Sequence, residues 1–176
     1  MILIIMGVAG AGKTTIGSLL ANRLGWTFYD ADDFHPASNK DKMSRGIPLN
    51  DEDRAGWLVA LQEQINECVE VNQSAVLACS ALKQKYRDTL RVSEQVQFVY
   101  LRGTYEQIEA RLRERKDHYM KPNMLKSQFK ILEEPNDALI TDMARSPQEI
   151  VDTICRVLSL SPVMGRTHET PLSPPS

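Results

Sequence analysis

The stretch GVAGAGKTT, Gly7–Thr15, constrains this chain more than any other, because it stands directly behind the apolar run MILIIM. An apolar run this short, closed by glycine, has the length of a buried strand. Beyond it Ile16, Leu19, Leu20 and Leu24 recur at helical spacing, and Gly25 offers a C-terminal cap. Strand, glycine turn and helix must therefore follow one another. Gly7-x-x-x-x-Gly12-Lys13-Thr14 matches GxxxxGK[ST] in full and sits at the junction this chemistry needs. Glycines let successive backbone N–H groups turn inward around a phosphate, and a helix N-terminus adds positive potential there. Gly7, Val8, Ala9, Gly10, Ala11, Gly12, Lys13, Thr14 and Thr15 are thus expected to cradle a nucleoside triphosphate. Lys13 would reach the β- and γ-phosphates, and the Thr14 hydroxyl would ligate Mg²⁺.

The pattern of strand-length runs followed by helical stripes continues. Strands are expected at Ile2–Met6, Thr27–Asp30, Ala75–Ser80, Val96–Leu101 and Ala138–Thr141. Helices are expected near Asp53–Val71, from a capping box at Thr104 and Gln107 through Arg115, and over Pro147–Leu160. This alternation predicts an α/β fold with a five-stranded parallel sheet covered by helices on both faces. One domain is expected over 1–160. The polar segment Lys116–Lys126, which contains Pro122, interrupts the pattern and reads as a mobile lid loop. Residues 161–176, rich in Pro and Ser, read as a disordered tail.

Composition narrows the partners. A formal net charge of −2 argues against nucleic acid or anionic membrane as a general partner. No run approaches the length of a membrane span, and MILIIM lacks the flanks of a secretory signal, so a cytoplasmic protein is expected. Cys68, Cys79 and Cys155 show no metal-ligand spacing and read as buried reduced thiols.

The destination of the γ-phosphate is read from the carboxylates. A GTPase would carry NKxD after a late strand, whereas NKDK (Asn39–Lys42) has lysine at the deciding position and follows the second strand. The third strand ends in Ser80 rather than an aspartate. The nearest acids are Asp30, Asp32 and Asp33, at the carboxyl end of the second strand, where ligands sit in such sheets. A kinase for small hydroxyl acceptors needs one carboxylate to take the acceptor's proton and orient its oxygen. Strand alternation would put Asp30 and Asp32 on one side, with Asp33 turned away.

The stretch FYDADDFHPASNKDKMSRGIPLNDEDRAGWL, Phe28–Leu58, resembles the gluconokinase signature. CSALKQKYRDTLR (Cys79–Arg91) and SQFKILEEP (Ser127–Pro135) are similar to two further blocks of that family. The likeness runs from Met1 to about Leu160. It implies the nucleoside-monophosphate-kinase type of P-loop fold, ATP with Mg²⁺, phosphorylation of D-gluconate at O6 to 6-phospho-D-gluconate, and a homodimer. It further implies Asp32 as the base, with Asp30 ordering Mg²⁺-bound water. His35, Arg45, Arg54, Lys83 and His118 become substrate candidates, and whether Arg54 or Lys83 takes the substrate carboxylate stays open. On the helix ending near Arg115, Arg111 and Arg115 share the face of Tyr105, Ile108 and Leu112. By the resemblance Arg111 would cover adenine and Arg115 the transferring phosphate. Two other readings remain: a kinase for another small hydroxyl acceptor such as shikimate, and a non-catalytic nucleotide-sensing module. CSALK lacks the glycine-rich turn expected of the first, and the second has no need of Asp32 or the arginines.

Overall fold

The computed structural model describes residues 1–114 and 122–162. In chain order the elements are β1 (Ile2–Met6), α1 (Lys13–Leu24), β2 (Thr27–Asp30), a 3₁₀ turn (Ala31–Phe34), α2 (Ala37–Ser44), α3 (Asp51–Glu70) and β3 (Ala75–Ala78). There follow α4 (Gln84–Leu90), β4 (Val96–Arg102), α5 (Tyr105–Glu114), α6 (Pro122–Ile131), β5 (Leu139–Asp142) and α7 (Pro147–Val157). The strands form one parallel sheet in the order β2-β3-β1-β4-β5.

β1 lies in the middle, with Ile2 opposite Ala75 of β3 and Val96 of β4. Its unbroken apolar run follows from burial on both faces. Leu3 and Ile5 point into one core with Ile16 and Leu20 of α1 and Ile150 and Ile154 of α7. Ile2, Ile4 and Met6 point into the other, with Trp57, Leu61 and Ile65 of α3 and Tyr86 and Leu90 of α4. The period of two along the strand divides its side chains between these layers.

Helix ends follow local chemistry. Gly25 caps α1 in the left-handed conformation at φ 67°, donating its N–H to Ala21 and Asn22 carbonyls. α3 begins two residues ahead of expectation, because Asn50 is its cap and forms a reciprocal box with Asp53. Thr104 and Gln107 make the box foreseen for α5, in two hydrogen bonds of 2.8 and 3.3 Å. Ser146 and Glu149 do the same for α7, with Pro147 in the first turn.

Two expectations are corrected. Residues 122–126, read as part of a loop, are the opening of α6. Pro122 starts this helix, where its missing N–H leaves nothing unsatisfied, and Met124 and Leu125 are buried. The rest of the expected lid, 116–121, and nearly all of the expected tail, 163–176, lie outside the described residues. Second, Asp32 and Asp33 sit in the 3₁₀ turn, not on an extended strand, so strand alternation does not govern where they point. The cysteines are free and buried, and burial pushes the Cys79 thiol up to about 12. Among the described residues no helix is long and apolar enough to cross a membrane.

Candidate active site

The glycine loop between β1 and α1 opens at the carboxyl end of the central strand. Gly12 caps α1 with φ 100°, a conformation costly for other residues, and among the described residues no side chain caps the N–H groups of the helix's first turn there. Gly10 is needed for a second reason. Its φ is +84°, and a Cβ there would stand 2.8 Å from the Leu112 side chain of α5, so that helix rests directly on the loop. The Lys13 ammonium donates to the Val8 carbonyl at 3.1 Å, which folds the side chain back over the loop. Burial lowers the Lys13 pKa, and the nearby Asp32 and Asp30 carboxylates oppose that shift.

Asp30 closes β2 beside the start of α1. Its Oδ2 accepts the Thr14 hydroxyl at 2.8 Å, and its Oδ1 accepts the Asp32 N–H at 3.1 Å. A hydroxyl and a carboxylate oxygen so placed suit the hard, oxygen-seeking Mg²⁺, which keeps several of its waters. The second bond, an aspartate side chain to the N–H two residues on, makes the turn that carries Asp32 out over the cleft. Desolvation at the cleft mouth raises the Asp32 pKa against the attraction of Lys13, which makes its carboxylate the better proton acceptor.

A cleft of about 210 Å³ lies in front of these groups, lined among others by Lys13, Asp32, His35, Arg54, Trp57 and Ser80. That volume suits a small polar molecule. His35 is buried and stacks on Trp57, with ring centroids 4.6 Å apart and planes at 10°. Trp57 is itself anchored by its indole N–H to the Ala31 carbonyl at 2.7 Å. Burial, reinforced by Arg54 and Lys40, lowers the His35 pKa to about 4. Arg54 enters from the first turns of α3, held by the Leu49 carbonyl at 2.5 Å and lying over the Tyr86 ring at 5.7 Å.

Lys83 and Arg45 are not among the residues lining this cleft. Lys83 makes bonds of 2.7 and 3.0 Å to the two oxygens of Asp51, which also receives Lys85 and the Tyr86 hydroxyl. These donors hold the Asp51 carboxyl well below the usual carboxylate range. Arg45 pairs with Asp41 at 2.9 Å on α2. Of the cations lining the cleft among the described residues, Arg54 is the one outside the phosphate loop. The Arg111 guanidinium lies within 3.4 to 3.7 Å of where a Cβ on Gly12 would stand, against the phosphate loop. Arg113, one of its neighbours on α5, is exposed and pairs with Glu109 at 3.3 Å. Arg115 and His118 lie outside the described residues.

Several lining residues escaped the sequence reading. Gln128 of α6 accepts the Ala9 N–H at 2.7 Å, joining α6 to the phosphate loop, and Met124 and Ser127 line the cleft beside it. Asn39, Trp57 and Tyr86 were equally missed as contacts. All of these except Met124 stand inside the motif blocks quoted above, but a motif names a residue without naming its partner.

The family model for shikimate kinase matches residues 9–159. A probable gluconokinase of Rattus norvegicus is 47% identical over 154 residues, covering 77% of this chain and 83% of the relative. The crystal structure of a gluconokinase from Sinorhizobium meliloti 1021 superposes with a TM-score of 0.81 at 36% identity, over 89% of this chain and 90% of that one. A shikimate kinase from Aquifex aeolicus superposes with a TM-score of 0.63 at 18% identity, over 90% and 96% of the two chains, which is a likeness of fold alone. Sheet order, phosphate loop and sequence agree on one placement: this chain belongs to the gluconokinase family, within the wider group of P-loop kinases that the shikimate kinase model describes.

Proposed function

We propose that this chain transfers the γ-phosphoryl group of MgATP to O6 of D-gluconate, giving 6-phospho-D-gluconate and ADP. The observation that carries the reading is the cleft that joins the phosphate loop and Asp32 to a preorganised arginine, beside 47% identity to a probable gluconokinase. Gluconate has a primary hydroxyl at one end and a carboxylate at the other. Asp32 suits the first, and Arg54, already oriented by Leu49 and Tyr86, suits the second. Lys83 is the lesser candidate for the carboxylate, since its ammonium is bound by Asp51.

In the proposed reaction Asp32 accepts the O6 proton while an O6 lone pair attacks the γ-phosphorus. The bond to the β,γ-bridging oxygen breaks, and its electron pair leaves with ADP. Lys13 and the loop N–H groups from Gly10 to Thr15 hold the β- and γ-phosphates and offset their charge. Thr14, with Asp30 through water, would hold Mg²⁺, whose bound form supplies further neutralisation of phosphate charge. Arg111 would lie over the nucleotide, and Arg115 would meet the transferring group. Arg45, which pairs with Asp41 away from the cleft lining, is like Lys83 a lesser candidate, and His118 would be a further substrate contact. A homodimer, a cytoplasmic setting and a single domain over 1–160 belong to the same proposal.

ATP consumption measured with gluconate, shikimate, AMP and no acceptor tests the reading. Turnover is expected with gluconate alone. Preference for shikimate or AMP would overturn the substrate, and nucleotide binding without any turnover would favour a sensing module.

A further inference from the structure

Asn39 is buried on α2, at 2% exposure. Its side-chain nitrogen lies 2.7 Å from the Asp53 carbonyl oxygen and 3.3 Å from Nδ1 of His35. A carbonyl only accepts, so the Asn39 atom facing Asp53 must be the amide nitrogen. The reverse orientation would set two acceptors against each other in a buried place. The nitrogen's second hydrogen then points at Nδ1, which must accept it. A neutral imidazole that accepts at Nδ1 carries its proton at Nε2. Nε2 stands 4.0 Å from Asp32 Oδ1, on the cleft side of the ring. The ring plane is fixed by the stack on Trp57, and Trp57 is tied to the carbonyl of the residue before Asp32.

We propose that Asn39 is a positioning residue: held by the Asp53 carbonyl, it keeps His35 as the Nε2–H tautomer, whose proton faces Asp32 and the cleft. The inference rests on the reading of Asp32 as the proton acceptor. Its consequence is directional. At 4.0 Å the Nε2–H is too far for a direct bond to Asp32 and tightens when the cleft fills, either on Oδ1 or on a substrate oxygen between them. In either case a donor on that side leaves the other Asp32 oxygen free to take the acceptor's proton. The opposite tautomer would turn a bare lone pair toward the carboxylate and repel it. The depressed His35 pKa agrees with a ring that stays neutral in this role.

Long-range ¹H–¹⁵N correlation spectra of the full chain at pH 7.5 report which ring nitrogen carries hydrogen. Comparison with His35→Phe assigns the His35 signals among the three histidines. The expected wild-type result is hydrogen on Nε2 and an unprotonated Nδ1. In Asn39→Ala the two tautomers should mix, and in Asn39→Asp, whose carboxylate accepts from Nδ1–H, hydrogen should move to Nδ1. Asn39→Ala should lower kcat with gluconate at least about tenfold with KM for ATP within about twofold, because the loss concerns proton transfer rather than nucleotide binding. A wild-type ring protonated at Nδ1 would overturn the proposal, as would an Asn39→Ala protein with unchanged kcat. If Asn39→Ala does not fold, the wild-type spectrum decides. A wild-type chain inert toward gluconate would overturn the substrate reading instead, and the spectrum would still decide the tautomer.

Discussion

The side-chain oxygen of Gln128 accepts the backbone N–H of Ala9 at 2.7 Å, so the helix that follows the expected lid is hydrogen-bonded to the phosphate loop itself. Leu112 of α5 rests on Gly10 of the same loop, so the helices on either side of residues 115–121 both touch it. Two helices far apart from the loop in sequence therefore both bear on the phosphate site.

Gln128→Ala should lower kcat/KM for gluconate by about tenfold, roughly the worth of one hydrogen bond in a partly buried site. Gln128→Glu should do no better, since it would add a negative charge beside a loop built to receive phosphate. Steady-state kinetics with the circular dichroism spectrum of each variant decide the matter, and a folded Gln128→Ala enzyme with wild-type kcat/KM would show the bond to be incidental.

Asp32→Asn should reduce kcat by at least about a hundredfold while ATP still binds. The amide matches the carboxylate in shape but cannot take up a proton. Asp30 keeps both its bonds, to Thr14 and to the residue-32 N–H, so the proposed metal position is untouched. Loss of ATP affinity at constant kcat, read by calorimetry beside turnover, would make Asp32 a nucleotide residue instead.

Arg111 and Arg113 of α5, with Arg115 just beyond it in sequence, form an internal control. Arg111→Ala should raise KM for ATP, because its guanidinium lies against the phosphate loop at Gly12. Arg113→Ala should change little, since Arg113 is exposed and bonded to Glu109. Arg115→Ala should lower kcat by at least about a hundredfold with a small change in ATP affinity, as expected of a charge met only in the transition state. Equal, mild effects from all three would leave the charge stabilisation to Lys13.

His35 should make stability depend on pH. Its folded pKa of about 4 lies below the ordinary 6.5, so across that interval the unfolded chain binds a proton that the folded chain does not. Stability from this group is complete above about pH 6.5 and is lost as pH falls toward 4, by up to about 3 kcal/mol. His35→Phe keeps a ring against Trp57 and removes the titration. Urea unfolding at pH 7 and pH 4.5 should therefore show a smaller acid loss in the variant. An identical loss in both would place the acid sensitivity elsewhere.

Much of this protein was legible in one dimension because the signals are local. A phosphate loop is a contiguous stretch whose glycines answer to backbone conformation, and Gly12 and Gly25 adopt the left-handed angles their places require. Strands buried on both faces announce themselves as apolar runs, and β1 and β2 lie where those runs predict. Helix caps at Thr104 and Ser146 depend on residues three apart. Pro122 misled because proline both ends helices and begins them, and only packing of Met124 and Leu125 distinguishes the cases.

Tertiary structure alone decided the partnerships. The sequence left Arg54 and Lys83 equal as candidates for a carboxylate. Folding places Asp51 against Lys83 and leaves Arg54 on the cleft, a choice made by contact across 32 residues of chain. Gln128 meets Ala9 across 119 residues, and Trp57 meets Ala31 across 26. The tautomer of His35 depends on a carbonyl in another helix. Backbone preference acts over a few neighbouring residues and can be read in order. A hydrogen bond or a shared charge depends on distance in space, which exists only once the sheet has brought its strand ends together.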